Sequence, residues 1–400
     1  MMSNNSDYLE ENPHFSIFVL GFRPFFLASG IFSVVSMSVW MMVYVYGFQT
    51  SLGNLPGLYW HAHEMLYGFA MAVVTGFLLT AVKNWTGMQT LQYKPLLILF
   101  LMWFGARLCM LLGADFFIPA AVLDLSFNIF LFIAVAVPVI KAKQSRQIGI
   151  VSKVFLLALF NSFFYLGLFG FIGQGLYWGI YGGLFLLLGL VLTMGRRVMP
   201  FFIEKGVGYP VQLKNSAFSD NANLLIFLAF SINEVFFLDA VISSYLAIPL
   251  FLISCIRLFN WHTKGIWSTP LLWGLYASFI VITLGFLLFA LLPYVNVITR
   301  SISLHAFTLG GFGLLTLSMM SRVTIGHTGR SVKQPSVWVR VAQWLLLMGC
   351  VSRVLLPLFL NEFYIETVFL SQCFWITGFA VFVLVNYPLL TKARIDGAAG

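Results

Sequence analysis

Long apolar runs follow one another along almost the whole chain and are separated by short polar segments. A helix needs about 20 residues to cross about 30 Å of hydrocarbon, and twelve runs reach that length. We predict spans at 16–46, 60–82, 95–113, 117–140, 150–172, 175–195, 222–239, 241–258, 270–292, 300–320, 337–358 and 364–388. The sequence therefore predicts an all-α polytopic membrane protein, and the boundary at Asp239 is the least secure.

The composition agrees with this class, because 60% of the residues are hydrophobic and 9% are charged. A soluble domain carries roughly a quarter charged residues. No loop is long enough for a separate domain, so we predict one transmembrane domain over 1–400, with a disordered tail at 1–15 and a cytoplasmic tail at 389–400. The four cysteines lie singly in apolar runs and indicate neither a disulfide framework nor a zinc site.

Basic residues concentrate in alternate loops of this arrangement, which is the pattern of cytoplasmic loops. Both termini are therefore predicted to be cytoplasmic. The same bias accounts for the net charge of +9 without a nucleic-acid partner. Four basic residues lie outside these loops: Arg23, Arg107, Arg300 and Arg353.

Histidines mark the predicted outer ends of two spans. His61 and His63 begin the second span, and His305 lies in the first turns of the tenth. Imidazole is a common ligand of iron, copper and zinc, and two histidines from separate helices also hold a b-type haem. Positions i and i+2 lie about 200° apart on a helix, so we expect His63 to face inward and His61 to face elsewhere.

A simpler interpretation is that these histidines bind interfacial water or lipid headgroups. Glu64 follows His63 and can orient a ligand or relay protons, or it can be solvated. The spacing differs from the HExxH zinc motif, which argues against a metalloprotease.

Several polar residues interrupt the apolar spans. Arg107 and Asp124 are expected at similar depths, and an ion pair between them is the first interpretation, ahead of a proton path. Asn161, Asn233 and Glu234 are expected to form hydrogen bonds between helices.

The predicted cytoplasmic face carries motifs that combine arginine with glycine, proline and aromatic residues. Such arginines can clamp haem propionates or another anion, although positive-inside charge and an aromatic belt produce the same composition. The candidates are Arg23, Arg196, Arg197, Arg322 and Arg330. His327 allows a second haem or metal site on this face, about 33 Å along the helix from His305. The chain has no GxGxxG or GxxxxGK[ST] motif for a nucleotide.

An offset of 242 residues aligns His63 with His305 and Gly68 with Gly310. The same offset aligns Thr86-Gly87 with Thr328-Gly329. It pairs the second span with the tenth, which does not fit the six-plus-six repeat of major facilitator transporters.

Taken together, these motifs resemble the NnrS family of bacterial inner-membrane proteins linked to nitric oxide. The resemblance is carried by Gly21–Phe26, Trp60–Met65, Asn84–Gly87, Gly195–Phe202 and the stretch from His305 to Arg330. Lys83 departs from the pattern, where a proline is expected. The resemblance implies a protein that binds haem b, with copper as a further metal, and protects cells against nitrosative stress.

Within that resemblance, His63 and His305 are the expected haem ligands, His61 and His327 are further metal ligands, and Glu64 assists protons. Nitric oxide is the expected ligand, membrane lipids surround the protein, and the electron donor is unidentified. The leading hypothesis is nitric oxide handling, including its reduction. Two alternatives stay open: a transporter that exports a metabolite or metal complex formed under nitrosative stress, and an assembly partner for a respiratory oxidase.

Overall fold

A computed structural model of the chain describes residues 17–396. The predicted disordered tail at 1–15 and the last four residues of the predicted C-terminal tail lie outside these described residues.

The described residues form long helices connected by short loops. They are α1 Phe22–Tyr44, α2 Gly57–Thr86, α3 Tyr93–Leu112, α4 Phe117–Lys141, α5 Ile148–Leu168, α6 Gly175–Gly206, α7 Ala217–Ile232 continued by Asn233–Phe237, α8 Ala240–Trp261, α9 Pro270–Leu291, α10 Arg300–His327, α11 Val337–Phe359 and α12 Tyr364–Thr391. Eleven helices in this part of the chain are long and apolar enough to cross a membrane. This confirms the prediction of an all-α polytopic membrane protein. Of the twelve predicted spans, α7 is the one that does not meet this criterion of length and apolarity.

Polar residues make α7 less apolar than its neighbours, and the structure shows how two of them are accommodated. The Asn233 side chain donates to Ser243 Oγ at 2.7 Å and to the carbonyl of Asp239 at 2.8 Å. The hydroxyl of Ser243 donates to buried Glu234. The expected hydrogen bonding between helices is therefore confirmed for Asn233 and Glu234, because Ser243 belongs to α8.

The predicted boundary at Asp239, between α7 and α8, is confirmed because Asp239 caps α8. Asp239 Oδ1 accepts hydrogen bonds from the backbone N–H groups of Val241 at 2.8 Å and Ile242 at 2.9 Å. A carboxylate in this position satisfies N–H groups that have no partner inside the helix and complements the helix dipole. Thr299 caps α10 in the same way, through the N–H of Ile302.

Helices α6 and α10 continue past their predicted ends. The predicted spans stop at 195 and 320, whereas the helices end at Gly206 and His327. Arg196, Arg197 and Arg322 therefore lie on helices and not in loops. Hydropathy marks where a chain leaves the hydrocarbon, and a helix can continue beyond that point with polar residues.

The chain divides into two compact units. The first runs through Gly183 and includes Met320–Val332 and the chain from Phe382 onward; the second comprises Leu184–Met319 and Lys333–Val381. In the first unit α2 packs against α1, α3 and α4, and in the second α9 packs against α8, α10 and α11. Both units are built from long apolar helices, and the interpretation as one domain stays a prediction.

Within residues 17–396, four helices contain a π-helical segment, in which the wider turn accommodates an extra residue. The segments are Glu64–Ala70, Asn233–Phe237, Ala306–Gly313 and Val351–Leu355. The offset of 242 residues aligns the first of these segments with the third. The first begins directly after His63, and the third begins directly after His305. Gly87 and Gly329, at φ 68° and 78°, follow the ends of α2 and α10. The sequence correspondence therefore extends to local backbone geometry.

The topology is tested by asking whether α7 crosses the membrane. Alkaline phosphatase fused after Lys214 should be inactive, and alkaline phosphatase fused after Asp239 should be active, because α7 lies between the two fusion sites. The matched control is a pair after Gly113 and Lys141, which flank α4. Equal activity after Lys214 and Asp239 would mean eleven crossings and termini on opposite sides.

Candidate functional site

A network of polar side chains lies inside the first unit, where four helices meet. Its members come from α2, α3, α4 and α5, and each is at most 3% exposed. They are His63, Glu64, Arg107, Asp124, Asn161 and Tyr165. Buried charges need paired partners because the interior solvates them poorly, so these contacts fix how the helices pack.

Arg107 forms two ion pairs at the centre of this network. Its Nη1 lies 2.6 Å from Glu64 Oε1 and its Nη2 lies 2.7 Å from Asp124 Oδ2. The predicted pair between Arg107 and Asp124 is confirmed, and Glu64 is an additional partner. One guanidinium thus joins α2, α3 and α4.

Gly68, on α2, gives the Arg107 side chain room to reach these carboxylates. A Cβ added to Gly68 would lie 2.5 Å from the Phe32 ring and 3.1 Å from Arg107 Cδ. The carbonyl of Gly68 accepts a hydrogen bond from Trp103 Nε1 at 3.0 Å. Gly68 therefore lies where side chains of α1 and α3 approach α2 closely.

His63 is fully buried, and the structure places it inward as expected. Its Nδ1 lies 2.9 Å from Glu64 Oε1, and its Nε2 lies 3.0 Å from Asn161 Oδ1. The ring stacks on Phe164 with the centroids 4.1 Å apart. Both ring nitrogens therefore face protein oxygens, and iron or copper can bind His63 only if one of these contacts breaks. In this arrangement His63 does not fit an axial haem ligand.

Asp124 has two further partners on α5. Its Oδ2 accepts hydrogen bonds from Asn161 Nδ2 at 3.1 Å and from the Tyr165 hydroxyl at 3.0 Å. The sequence analysis identified Asn161 but missed Tyr165. Their i and i+4 spacing places both on one face of α5, and this spacing is the signal that points to Tyr165.

His61 lies on a different side of α2 from His63. Its ring stacks on Trp40 of α1, with the centroids 4.6 Å apart and the planes 8° apart. The two neighbouring histidines thus contact different helices, as the helical spacing predicts.

His305 lies in the second unit and is half-buried. Its Nδ1 is 2.7 Å from the carbonyl oxygen of Ser301, one helical turn earlier. A carbonyl only accepts hydrogen bonds, so Nδ1 carries the hydrogen and the neutral ring has its lone pair on Nε2. A backbone carbonyl bonded to one ring nitrogen is the arrangement that orients histidine ligands in many metal sites. His305 therefore fits a haem or metal ligand.

The face of α10 that carries Gly310, about one and a half turns after His305, is covered by other helices. A Cβ at Gly310 would clash with Val281 of α9 and Cys350 of α11. As at Gly68, the small residue there permits close helix packing, and a macrocycle does not fit on that face.

The arginines of the predicted cytoplasmic face have varied surroundings. Arg23 donates to the carbonyls of Leu390 at 3.0 Å and Lys392 at 2.7 Å, and so binds the end of α12. Arg330 donates to the carbonyl of Thr328, and Arg196 lies 3.6 Å from Asp220. Arg197 is exposed, whereas Arg322 and His327 are half-buried. Their roles toward haem propionates or a metal stay predictions.

Among residues 17–396, no group of three His, Cys, Asp or Glu side chains is arranged to hold a metal ion.

The family model described as NnrS protein matches residues 16–394. The chain belongs to the NnrS family. A comparison with curated proteins finds no match. Membership of the NnrS family makes the chain a membrane protein of the nitric oxide response, and the match includes every motif on which the resemblance was based.

The ion pairs of this NnrS protein are tested by removing Arg107. Arg107→Met leaves Glu64 and Asp124 without their guanidinium and should lower the free energy of unfolding by about 3 to 5 kcal/mol. The double variant Arg107→Met/Asp124→Asn should lose less than the sum of the two single losses, with a coupling of about 0.5 to 3 kcal/mol. Unfolding of purified protein in mixed micelles measures these values.

Lys94→Met is the matched control, because Lys94 is exposed on the same helix and the charge change is equal. If Arg107→Met is no more destabilising than Lys94→Met, the network does not hold the helices together.

Gly68→Ala tests the close packing beside Arg107. The added methyl group has no space against Phe32, so the substitution should lower the free energy of unfolding by about 1 to 3 kcal/mol. Gly149→Ala is the control, since nothing lies within 4 Å of a Cβ at that position. Equal stability of the two variants would contradict the packing described for Gly68.

Proposed function

We propose that this NnrS protein binds haem b through His305 and handles nitric oxide at that haem. Three observations support the proposal: the family match, the half-buried position of His305, and the contact between its Nδ1 and the Ser301 carbonyl. The last of these carries it, because the bond sets the ring in the tautomer of a metal ligand.

Haem held by His305 would supply iron, which binds nitric oxide. The chain's own contribution is to orient the imidazole. Ser301 and His305 lie in the first turns of α10, and Thr299 caps that helix through the N–H of Ile302. The proposed ligand therefore stands on a helix whose start is fixed by side-chain hydrogen bonding, which favours a constant ring position.

A single histidine ligand distinguishes a reactive haem from an electron-transfer haem, which has two permanent ligands. Because both ring nitrogens of His63 face protein oxygens, we propose His305 as the haem ligand without His63. Copper is the second proposed metal, with His61 as a proposed ligand at the predicted outer end of α2 and His327 as the proposed ligand of a separate site on the predicted cytoplasmic face. This part of the proposal is supported by the family resemblance alone.

The finer proposal is that nitric oxide is reduced. Two molecules of nitric oxide, two electrons and two protons give one nitrous oxide and one water, so a reduced electron carrier must supply the electrons. Glu64 is the carboxylate that we propose to assist proton transfer within the first unit, because it is buried among polar partners.

The second candidate function is transport. It is favoured by the charged network on α2 to α5, because ionisable groups inside membrane bundles commonly line the pathways of protons or substrates. In that case the histidines would bind exported cargo transiently, and the purified protein would have no permanent haem.

The haem proposal is tested with optical spectra. The purified protein should show a Soret band that shifts when nitric oxide is added, and His305→Ala should lose at least most of that band because the iron loses its ligand. His63→Gln should retain it. Nitrous oxide measured by gas chromatography with a chemical reductant then tests reduction.

His262→Ala is the control, because His262 is an exposed histidine outside every proposed site. A Soret band that persists in His305→Ala would refute the ligand assignment. A colourless wild-type protein, purified from cells with ample haem, would favour transport.

A further inference from the structure

Arg353 is a buried arginine in the second unit and has no part in the proposed haem ligation or proton transfer. It lies in the π-helical segment Val351–Leu355 of α11 and is 7% exposed. This segment packs against the first turns of α10, which carry Ser301 and His305. π-Helical segments are rare and occur often at functional sites.

The contacts of Arg353 are few for a buried guanidinium. Nη2 donates to Ser301 Oγ at 3.0 Å, and the guanidinium lies 5.3 Å from the centre of the Tyr364 ring. Nη1 is buried and has no hydrogen-bond partner among residues 17–396. In that part of the chain, no carboxylate forms an ion pair with Arg353, whereas Arg107 has two.

Glu234, a buried acid of the same unit, is engaged elsewhere. Glu234 lies 3.6 Å from Arg300 Nη2 and accepts the hydroxyl hydrogen of Ser243. Among residues 17–396, Arg353 therefore has no carboxylate as an ion-pair partner, although arginine keeps its charge in proteins. A buried and unpaired charge costs several kcal/mol, and an anion from outside the chain removes that cost.

The position of Arg353 identifies where such an anion would bind. Its side chain and the His305 ring both contact Ser301, one through the hydroxyl and the other through the carbonyl. Ser301 is exposed, so a ligand can reach this point from solvent. A lipid headgroup is disfavoured, because the guanidinium itself is buried within the protein.

We propose that Arg353, beside Ser301 and His305, binds the paired oxygens of a carboxylate or of a small planar oxyanion. The planar fork of a guanidinium matches two such oxygens and forms short, charge-assisted hydrogen bonds. Two sources supply this chemistry: a free oxyanion such as nitrite, or a propionate of haem. The second source depends on the proposed haem at His305, whereas the first is independent of it.

The free anion is tested with sodium nitrite on the full-length protein purified without haem. Nitrite at about ten times its dissociation constant should raise the unfolding midpoint by about 2 °C relative to a nitrite-free buffer of equal ionic strength. Arg353→Gln should abolish this rise, and Arg353→Lys should bind nitrite about tenfold more weakly because the fork is lost. Arg340→Gln, an exposed arginine on the same helix, should behave as wild type.

The haem source is tested by comparing haem with its dimethyl ester, which lacks both carboxylates. Wild type and Arg340→Gln should bind haem about tenfold more tightly than the ester, and Arg353→Gln should bind the two equally. A preference for haem without any effect of nitrite identifies the propionate as the anion. An effect of nitrite in a protein that binds no haem supports the site while refuting the proposed function.

Folding is checked with Arg353→Met in buffer without nitrite. Removing an unpaired buried charge should leave the unfolding midpoint unchanged or raise it. The inference is overturned if nitrite stabilises Arg353→Gln and wild type equally and the ester binds wild type as tightly as haem does. A large fall in the midpoint of Arg353→Met would also overturn it, because Arg353 would then be a structural residue with internal partners.

Discussion

The guanidinium of Arg107 between two carboxylates is the contact on which the first unit depends. It joins α2, α3 and α4 through bonds of 2.6 and 2.7 Å in an interior where charges are poorly solvated. Helices in a membrane gain little from the hydrophobic effect when they associate, so directed polar contacts and close packing determine their positions. Gly68 belongs to the same arrangement, because its lack of a side chain leaves room for the side chain of Arg107.

A comparison of Arg107 with Arg353 separates two uses of a buried cation. Arg107 finds its anions within the unit and so fixes the packing of helices. Arg353 has a hydroxyl and an aromatic ring as its partners and lies beside an exposed serine. Arg107 thus has two carboxylates beside it, whereas we propose that Arg353 takes its anion from outside the chain. Burial alone does not distinguish these cases, and the count of anionic partners does.

The sequence predicted the helices well because hydropathy directly reflects the energetics of the membrane. The pairing of Arg107 with Asp124 followed from depth, since two costly charges at one level are most stable together. The pairing of Glu64 with Arg107 was not predicted, because Glu64 was expected either to assist at the histidines or to be solvated. The contacts of His63 were also beyond prediction, because they require knowledge of which helix lies beside α2. Metal binding by His61, His63, His305 and His327 stays a prediction.

The matching π segments at Glu64–Ala70 and Ala306–Gly313 carry a historical consequence. An inserted residue usually strains a helix, and two independent insertions at an equal distance from a histidine form a costly coincidence. One insertion in an ancestral segment that contained this helix, followed by duplication of that segment alone, explains both with fewer events. Divergence of the copies then left one histidine enclosed by polar neighbours and the other half-buried.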